Sequence, residues 1–361
     1  MKKRMFSKAL LAVVVMFGIL ALSGVVSSQG MSQEAFERVK EVQEMHTQHL
    51  LGVKGVEGTA IGLNLHARPA LKVFVSKWDV TGIPRNLDGI PVQVVVTGKF
   101  YALAKGGIPG KPPVEDPPTP DPEEPPEVPI DPTARFDRPV PIGVSTGHPD
   151  ITAGTIGCRV TDGADVYALS NNHVYANSNE AEIYDNVLQP GTYDINENSD
   201  LNPDNCIIGN LADFVEIYFD GSNNEIDAAI ALSSKDFLGN ATPSDGYGVP
   251  KSDPLEAKVG QKVKKYGRTT GLTKGRVYAI NATVDVYYDS RDETARFVSQ
   301  IVITPGSFSA GGDSGSLIVF DSRTKRDRRP IGLLFAGNSD FTIAHPIGEV
   351  LTTLGVSIDG E

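Results

Sequence analysis

Ala310-Gly311-Gly312-Asp313-Ser314-Gly315-Ser316 sets one serine among glycines. A nucleophilic serine must sit on a tight, exposed turn, with backbone N–H groups free to hold a developing oxyanion. Flanking glycines permit the required φ angles and leave room for a substrate carbonyl. The N–H groups of Gly312 and Ser314 are the candidate donors. A plain hairpin can carry the same turn, so Ser314 needs a base within reach, and the base needs an orienting carboxylate.

Six histidines are available: His46, His49, His66, His148, His173 and His345. Only His173 ends a strand-like run, in Ala168-Leu169-Ser170-Asn171-Asn172-His173-Val174. Glu225-Ile226-Asp227-Ala228-Ala229-Ile230 puts an acid at the mouth of an apolar run. A buried carboxylate is costly without a hydrogen-bond partner, and His173 would serve Asp227 in that role.

The order His173, Asp227, Ser314 in these contexts resembles the chymotrypsin/trypsin-like serine peptidases of the secreted bacterial type, over about residues 150–350. The three blocks lie 54 and 87 residues apart. Val263-Lys264-Lys265-Tyr266-Gly267-Arg268-Thr269-Thr270-Gly271-Leu272-Thr273 is similar to the hairpin that opens the second barrel in bacterial members. The resemblance implies a mainly β fold, a double six-stranded antiparallel β-barrel with the site in the cleft between barrels. It also implies a serine endopeptidase without a cofactor, acting on protein or peptide substrates through an acyl-enzyme. A serine esterase and a binding protein that keeps the fold without turnover stand as alternatives.

Three departures from the family pattern matter, and one further histidine has two readings. Val174 follows His173, so the half-cystine usual in vertebrate members is missing. Arg138-Pro139-Val140-Pro141-Ile142-Gly143 does not match the family's activation site, so Asp313 must find a partner other than a freed N-terminus. Phe308 stands where the resemblance puts the base of the specificity pocket, with Leu334-Phe335-Ala336-Gly337 as its wall; it is neither the Asp expected for Arg or Lys cleavage nor a small residue, and gives no licence to read a trypsin-like specificity. His345 either recognises an acidic side chain, as a histidine does in glutamate-specific relatives, or is structural, and the structural role is the commoner one.

Short Val- and Ile-rich runs separated by Gly, Asn and Asp turns fill residues 135–361 and are expected to form the peptidase domain. Among them are Thr155–Val160, Val166–Leu169, Asp227–Leu232, Gly275–Ile280, Val284–Tyr288 and Ile331–Phe335; only Glu349–Leu354 reads as helix. Residues 31–104 read as a small α+β module and a possible prodomain. Ser32 is its N-cap, and Phe36, Val39, Val42 and His46 recur at helical spacing. Strands are expected at Gly58–Leu65, Ala70–Ser76 and Pro91–Thr97, with a turn at Asp88-Gly89. Residues 105–134 form a linker: between Pro109 and Pro132, 11 of 24 residues are proline and seven are acidic, which favours extended polyproline II. The arginines and lysine of 323–329 read as a solvated hairpin tip.

Lys2, Lys3 and Arg4, the apolar run Ala9–Val26 and the small residues Val26-Ser27-Ser28 read as a secretory signal over 1–28. The run of about 18 residues is near the shortest bilayer span, so a retained anchor is the rival. A net charge of -12 argues against nucleic acid or an anionic membrane as partner. The two cysteines, Cys158 and Cys206, are candidates for one disulfide in an oxidising compartment, and two buried free thiols are the alternative. No Cys/His spacing suggests zinc, and His46 and His49, three apart on a helix, lack an acidic ligand set. The Asn/Asp-rich stretch Asp194–Asn205 suggests either calcium or a long loop.

Overall fold

The computed structural model describes residues 31–103, 130–197 and 202–361. The expected signal peptide and most of the expected linker lie outside these residues. Ser32 caps the helix Gln33–Leu51, its hydroxyl accepting from Ala35 N at 3.3 Å. Val39, Val42 and Leu50 face inward, onto Ile61, Leu71 and Val73 of the strands Val56–Leu63 and Pro69–Val75. Asp88 and Gly89 both have positive φ, 47° and 85°, and Leu87 pairs with Ile90 across them. This is the two-residue hairpin turn that Asp-Gly favours.

Besides one small pair, Ser145–Thr146 with Gly154–Thr155, the strands of the C-terminal half form two large sheets. In one, the order runs Asn186–Leu188, Ile207–Phe214, Ala229–Ser233, Val166–Ser170, Cys158–Thr161, Ser357–Ile358. In the other, six strands pair in a ring: Lys262–Gly267, Gly271–Tyr288, Glu293–Thr304, Thr342–Pro346, Pro330–Gly337 and Leu317–Phe320, which pairs back onto the first. The chain is thus mainly β, and one of its two large sheets pairs strand to strand in a ring. In the first sheet the edge strand Asn186–Leu188 also bridges Gly147 on its outer side, Leu188 N donating to Gly147 O at 2.9 Å and Gly147 N to Leu188 O at 3.2 Å. The second continues outward, since Val56–Leu63 pairs antiparallel with Gly271–Tyr288 and carries Pro69–Val75 and Ile90–Val96 with it. Residues 56–102 thus extend the C-terminal sheet instead of forming a sheet of their own.

The runs Gly275–Ile280 and Val284–Tyr288 are one strand of 18 residues, not two. Its inward positions change phase midway: Val277 and Ala279 are buried on one side of Asn281, and Ala282, Val284, Val286 and Tyr288 on the other. The register shifts across this stretch, and Asn281 has φ 51°. An inserted residue flips every later side chain to the opposite face, so this bulge turns Tyr288 inward. Gln43 of the helix secures the bulge: its Nε2 donates to Asn281 O at 2.8 Å, and its Oε1 accepts from Asn281 Nδ2 at 2.9 Å.

Ala60, Phe74 and Phe100 share one apolar cluster with Val284, Val286, Tyr288, Phe297 and Phe335. Cys158 lies in the core of the first sheet, whereas Cys206 packs on Leu188 and Ile195. Both are free thiols, which corrects the expected disulfide. Burial in apolar surroundings pushes both thiols up, away from the reactive thiolate. Among the described residues no helix is long and apolar enough to cross a membrane.

Candidate functional site

Ser314 lies in the turn before Leu317–Phe320, where φ is 95° at Gly312 and 92° at Gly315. A Cβ on Gly312 would come within 2.5 Å of Thr269 Oγ1, and one on Gly315 within 2.2 Å of Ser170 Oγ. Only glycine fits either position. Thr155, on the short strand Gly154–Thr155, holds the turn, its N donating to Ser314 O at 2.7 Å and its Oγ1 to Gly312 O at 2.9 Å.

Asp313, wholly buried, faces Lys265 Nζ at 3.2 Å. It accepts from Ala310 N at 2.8 Å, Thr269 N at 2.9 Å and Thr270 Oγ1 at 2.7 Å. Burial alone would raise its pKa, but the Lys265 charge and these donors outweigh it and hold the carboxyl below its ordinary range. The partner expected for Asp313 is thus a lysine from the Val263–Thr273 hairpin.

His173 lies on the single turn Asn172–Tyr175, after the strand Val166–Ser170. That strand pairs with Ala229–Ser233, Ser170 opposite Ala229, which places His173 beside Asp227 at the head of the neighbouring strand. Asn171 Nδ2 donates to Asp227 O at 2.7 Å, and Asn172 Nδ2 to Val215 O at 2.7 Å, so both asparagines anchor the turn. His173 Nδ1 meets Asp227 Oδ2 at 2.5 Å, and His173 N donates to Oδ1 at 3.1 Å.

Two further groups hold Asp227. Tyr288 donates its O–H to Oδ2 at 2.8 Å, and Asp227 N donates to His345 Nε2 at 3.0 Å. Burial opposes the ionised form, yet His173 and the Tyr288 hydroxyl hold the carboxyl below its ordinary value. His345 is wholly buried and stacked on Phe335, ring centroids 3.8 Å apart, and burial lowers its pKa to about 3. It is a neutral acceptor behind Asp227, the structural role. The sequence carried no signal for Tyr288, which reaches Asp227 from 61 residues away through the bulge at Asn281.

Ser314 Oγ donates to Phe335 O at 3.2 Å, and His173 Nε2 is buried with no hydrogen-bond partner. The serine and the free imidazole nitrogen are therefore not hydrogen-bonded to each other in this state. Ser314 itself is buried. The chain before the expected linker lies over the turn: Leu103 N donates to Phe335 O at 3.0 Å, and Leu103 O accepts from Gly312 N at 2.7 Å. Phe308, on the turn Gly306–Phe308, shares an apolar cluster with Leu103 and Leu334.

Other sequence candidates lie elsewhere. Asp194 is bound by Arg268, whose Nε donates to it at 2.8 Å, so its carboxylate is committed to an ion pair and not to calcium. His46 Nε2 meets Asp88 at 2.6 Å on the surface. Among the described residues no group of three or more His, Cys, Asp or Glu is placed to hold a metal ion.

Residues 238–344 match the family model described as the Nal1 C-terminal domain; this span holds Ser314 but neither His173 nor Asp227. Protein NARROW LEAF 1 of Oryza sativa subsp. japonica is 33% identical over 89 residues, which cover 24% of this chain and 15% of that protein. Similar solved structures are bacterial-type serine proteases. A glutamic acid specific serine protease that uses a histidine triad in substrate binding covers 61% of this chain and 100% of its own, at 22% identity and TM-score 0.43. Thermobifida fusca Protease A covers 62% and 99%, at 19% identity and TM-score 0.42. Cellulomonas bogoriensis chymotrypsin covers 63% and 100%, at 18% identity and TM-score 0.41. These are loose likenesses.

Proposed function

We propose that this chain is a serine endopeptidase in which Ser314 is the nucleophile, His173 the general base and Asp227 the residue that orients the base. The observation that carries this reading is the 2.5 Å contact of His173 Nδ1 with a buried, ionised Asp227, which leaves Nε2 free. Asp227 keeps the imidazole proton on Nδ1, so Nε2 is the basic nitrogen. Once Ser314 Oγ turns from Phe335 O to His173 Nε2, the hydroxyl proton can pass to the imidazole as Oγ adds to a substrate carbonyl. Gly312 N–H and Ser314 N–H hold the oxyanion; the imidazolium then protonates the leaving amine, and water releases the acyl group. Residues 1–28 would direct the chain out of the cell, where its substrates are proteins or peptides.

The resting contact of Ser314 with Phe335 O favours one second reading, a binding protein without turnover. Labelling with a fluorophosphonate decides between them. The full chain is expected to label and Ser314→Ala to stay unlabelled; an unlabelled wild type and an unlabelled Leu103→Asp variant together would sink the enzymatic reading. Matched peptide and ester substrates then separate endopeptidase from esterase.

A further inference from the structure

The strand Phe100–Ala102 and Leu103 lie against the candidate site as an extended peptide. Ala102 and Tyr101 pair antiparallel with Ala336 and Gly337, while Phe100 and Tyr101 pair parallel with Val286 and Tyr287. Leu103 continues the line with its two backbone bonds, to Phe335 O at 3.0 Å and from Gly312 N at 2.7 Å. That second bond places a peptide carbonyl on the N–H assigned to the oxyanion, two residues from Ser314. The Leu103 side chain is 1% exposed and clusters with Phe308, Leu334 and Ile303. A Cβ on Gly337 would touch its Cδ1 at 3.5 Å. All the buried residues of that cluster are apolar, so a charged side chain there would lie unpaired.

We propose that Leu103 occupies the specificity pocket as the enzyme's own first substrate, that the chain cuts itself after Leu103, and that leucine is the residue it selects in other chains. This rests on the assignment of Ser314 and His173 above. Ser314 Oγ adds to the Leu103 carbonyl carbon while its proton passes to His173 Nε2. The bond from that carbon to the next nitrogen breaks, and the nitrogen takes the proton. One water then hydrolyses the Leu103 ester, leaving a Leu103 carboxylate and restoring Ser314. The freed strand keeps its pairing with 330–337 and 271–288, so the N-terminal fragment stays docked after the cut.

The full chain, Ser314→Ala, Leu103→Asp and Leu103→Met, followed by intact mass and N-terminal sequencing, test this. The wild type is expected to yield a new N-terminus directly after Leu103, with both fragments co-eluting under native conditions, while Ser314→Ala stays whole. Leu103→Met should be cut at that bond, and Leu103→Asp should be slowed roughly 100-fold or more. The same Leu103→Asp chain should label faster with fluorophosphonate, because its side chain no longer fits the apolar pocket. A peptide library should be cut after leucine. Labelling at Ser314 without a cut after Leu103, or library cleavage after charged residues, overturns the proposal and leaves the hydrolase standing. Absence of labelling in wild type and Leu103→Asp removes both.

Discussion

The proposed triad Ser314, His173 and Asp227 was legible as residue types in an order, because each carries a local signal: glycines around the serine, a strand end before the histidine, an apolar run behind the acid. Their supports were not. Tyr288 and His345 hold Asp227 from 61 and 118 residues away. Nothing within a window of sequence ties them to it. In the proposed triad Asp227 fixes the imidazole tautomer, so Asp227→Asn is expected to lower turnover on the order of 10⁴-fold with little change in substrate binding, as kcat and KM on a peptide substrate will report.

At the scale of elements, apolar runs located most of the longer strands, but not Ile207–Phe214, Phe100–Ala102 or the continuity of Gly271–Tyr288. The run from Gly275 to Ile280 and the run from Val284 to Tyr288 have opposite phase, so periodicity divides them; the structure joins them through the bulge at Asn281. The helix Gln33–Leu51 and this strand are coupled through Gln43, which is buried and also donates to Thr59 Oγ1 at 3.1 Å. Gln43→Leu leaves Asn281 O and Nδ2 without these partners. It is expected to destabilise the fold by about 1–3 kcal/mol, read as a lower urea midpoint.

On the scale of the whole molecule, residues 56–103 complete the sheet that carries Ser314 and lie over the site. Lys72 marks this union. It is almost fully buried and donates to Leu63 O at 2.6 Å, Gln93 Oε1 at 2.7 Å and Tyr278 OH at 3.2 Å. Burial lowers its pKa to about 8. Between pH 8 and the ordinary lysine value of about 10.4, the unfolded chain keeps a proton the folded chain has released, so this group's contribution to stability rises with pH across that window. The urea midpoint of Lys72→Met relative to wild type should therefore be most favourable near pH 7 and should fall steadily toward pH 10.5.

By itself, the sequence determined the chemistry on offer: a glycine-bracketed serine, one histidine in a suitable context, an acid that needs a partner, and a helix and strands of given period. Those properties follow from local backbone sterics and from side-chain type, which neighbours in the chain decide. Only the tertiary structure decided that the two cysteines stay apart, that residues 56–102 join the C-terminal sheet and that Lys265 meets Asp313. It alone decided that Leu103 sits on the Gly312 N–H. These are pairings across long loops, and they depend on strand register and burial, which no stretch of neighbouring residues encodes.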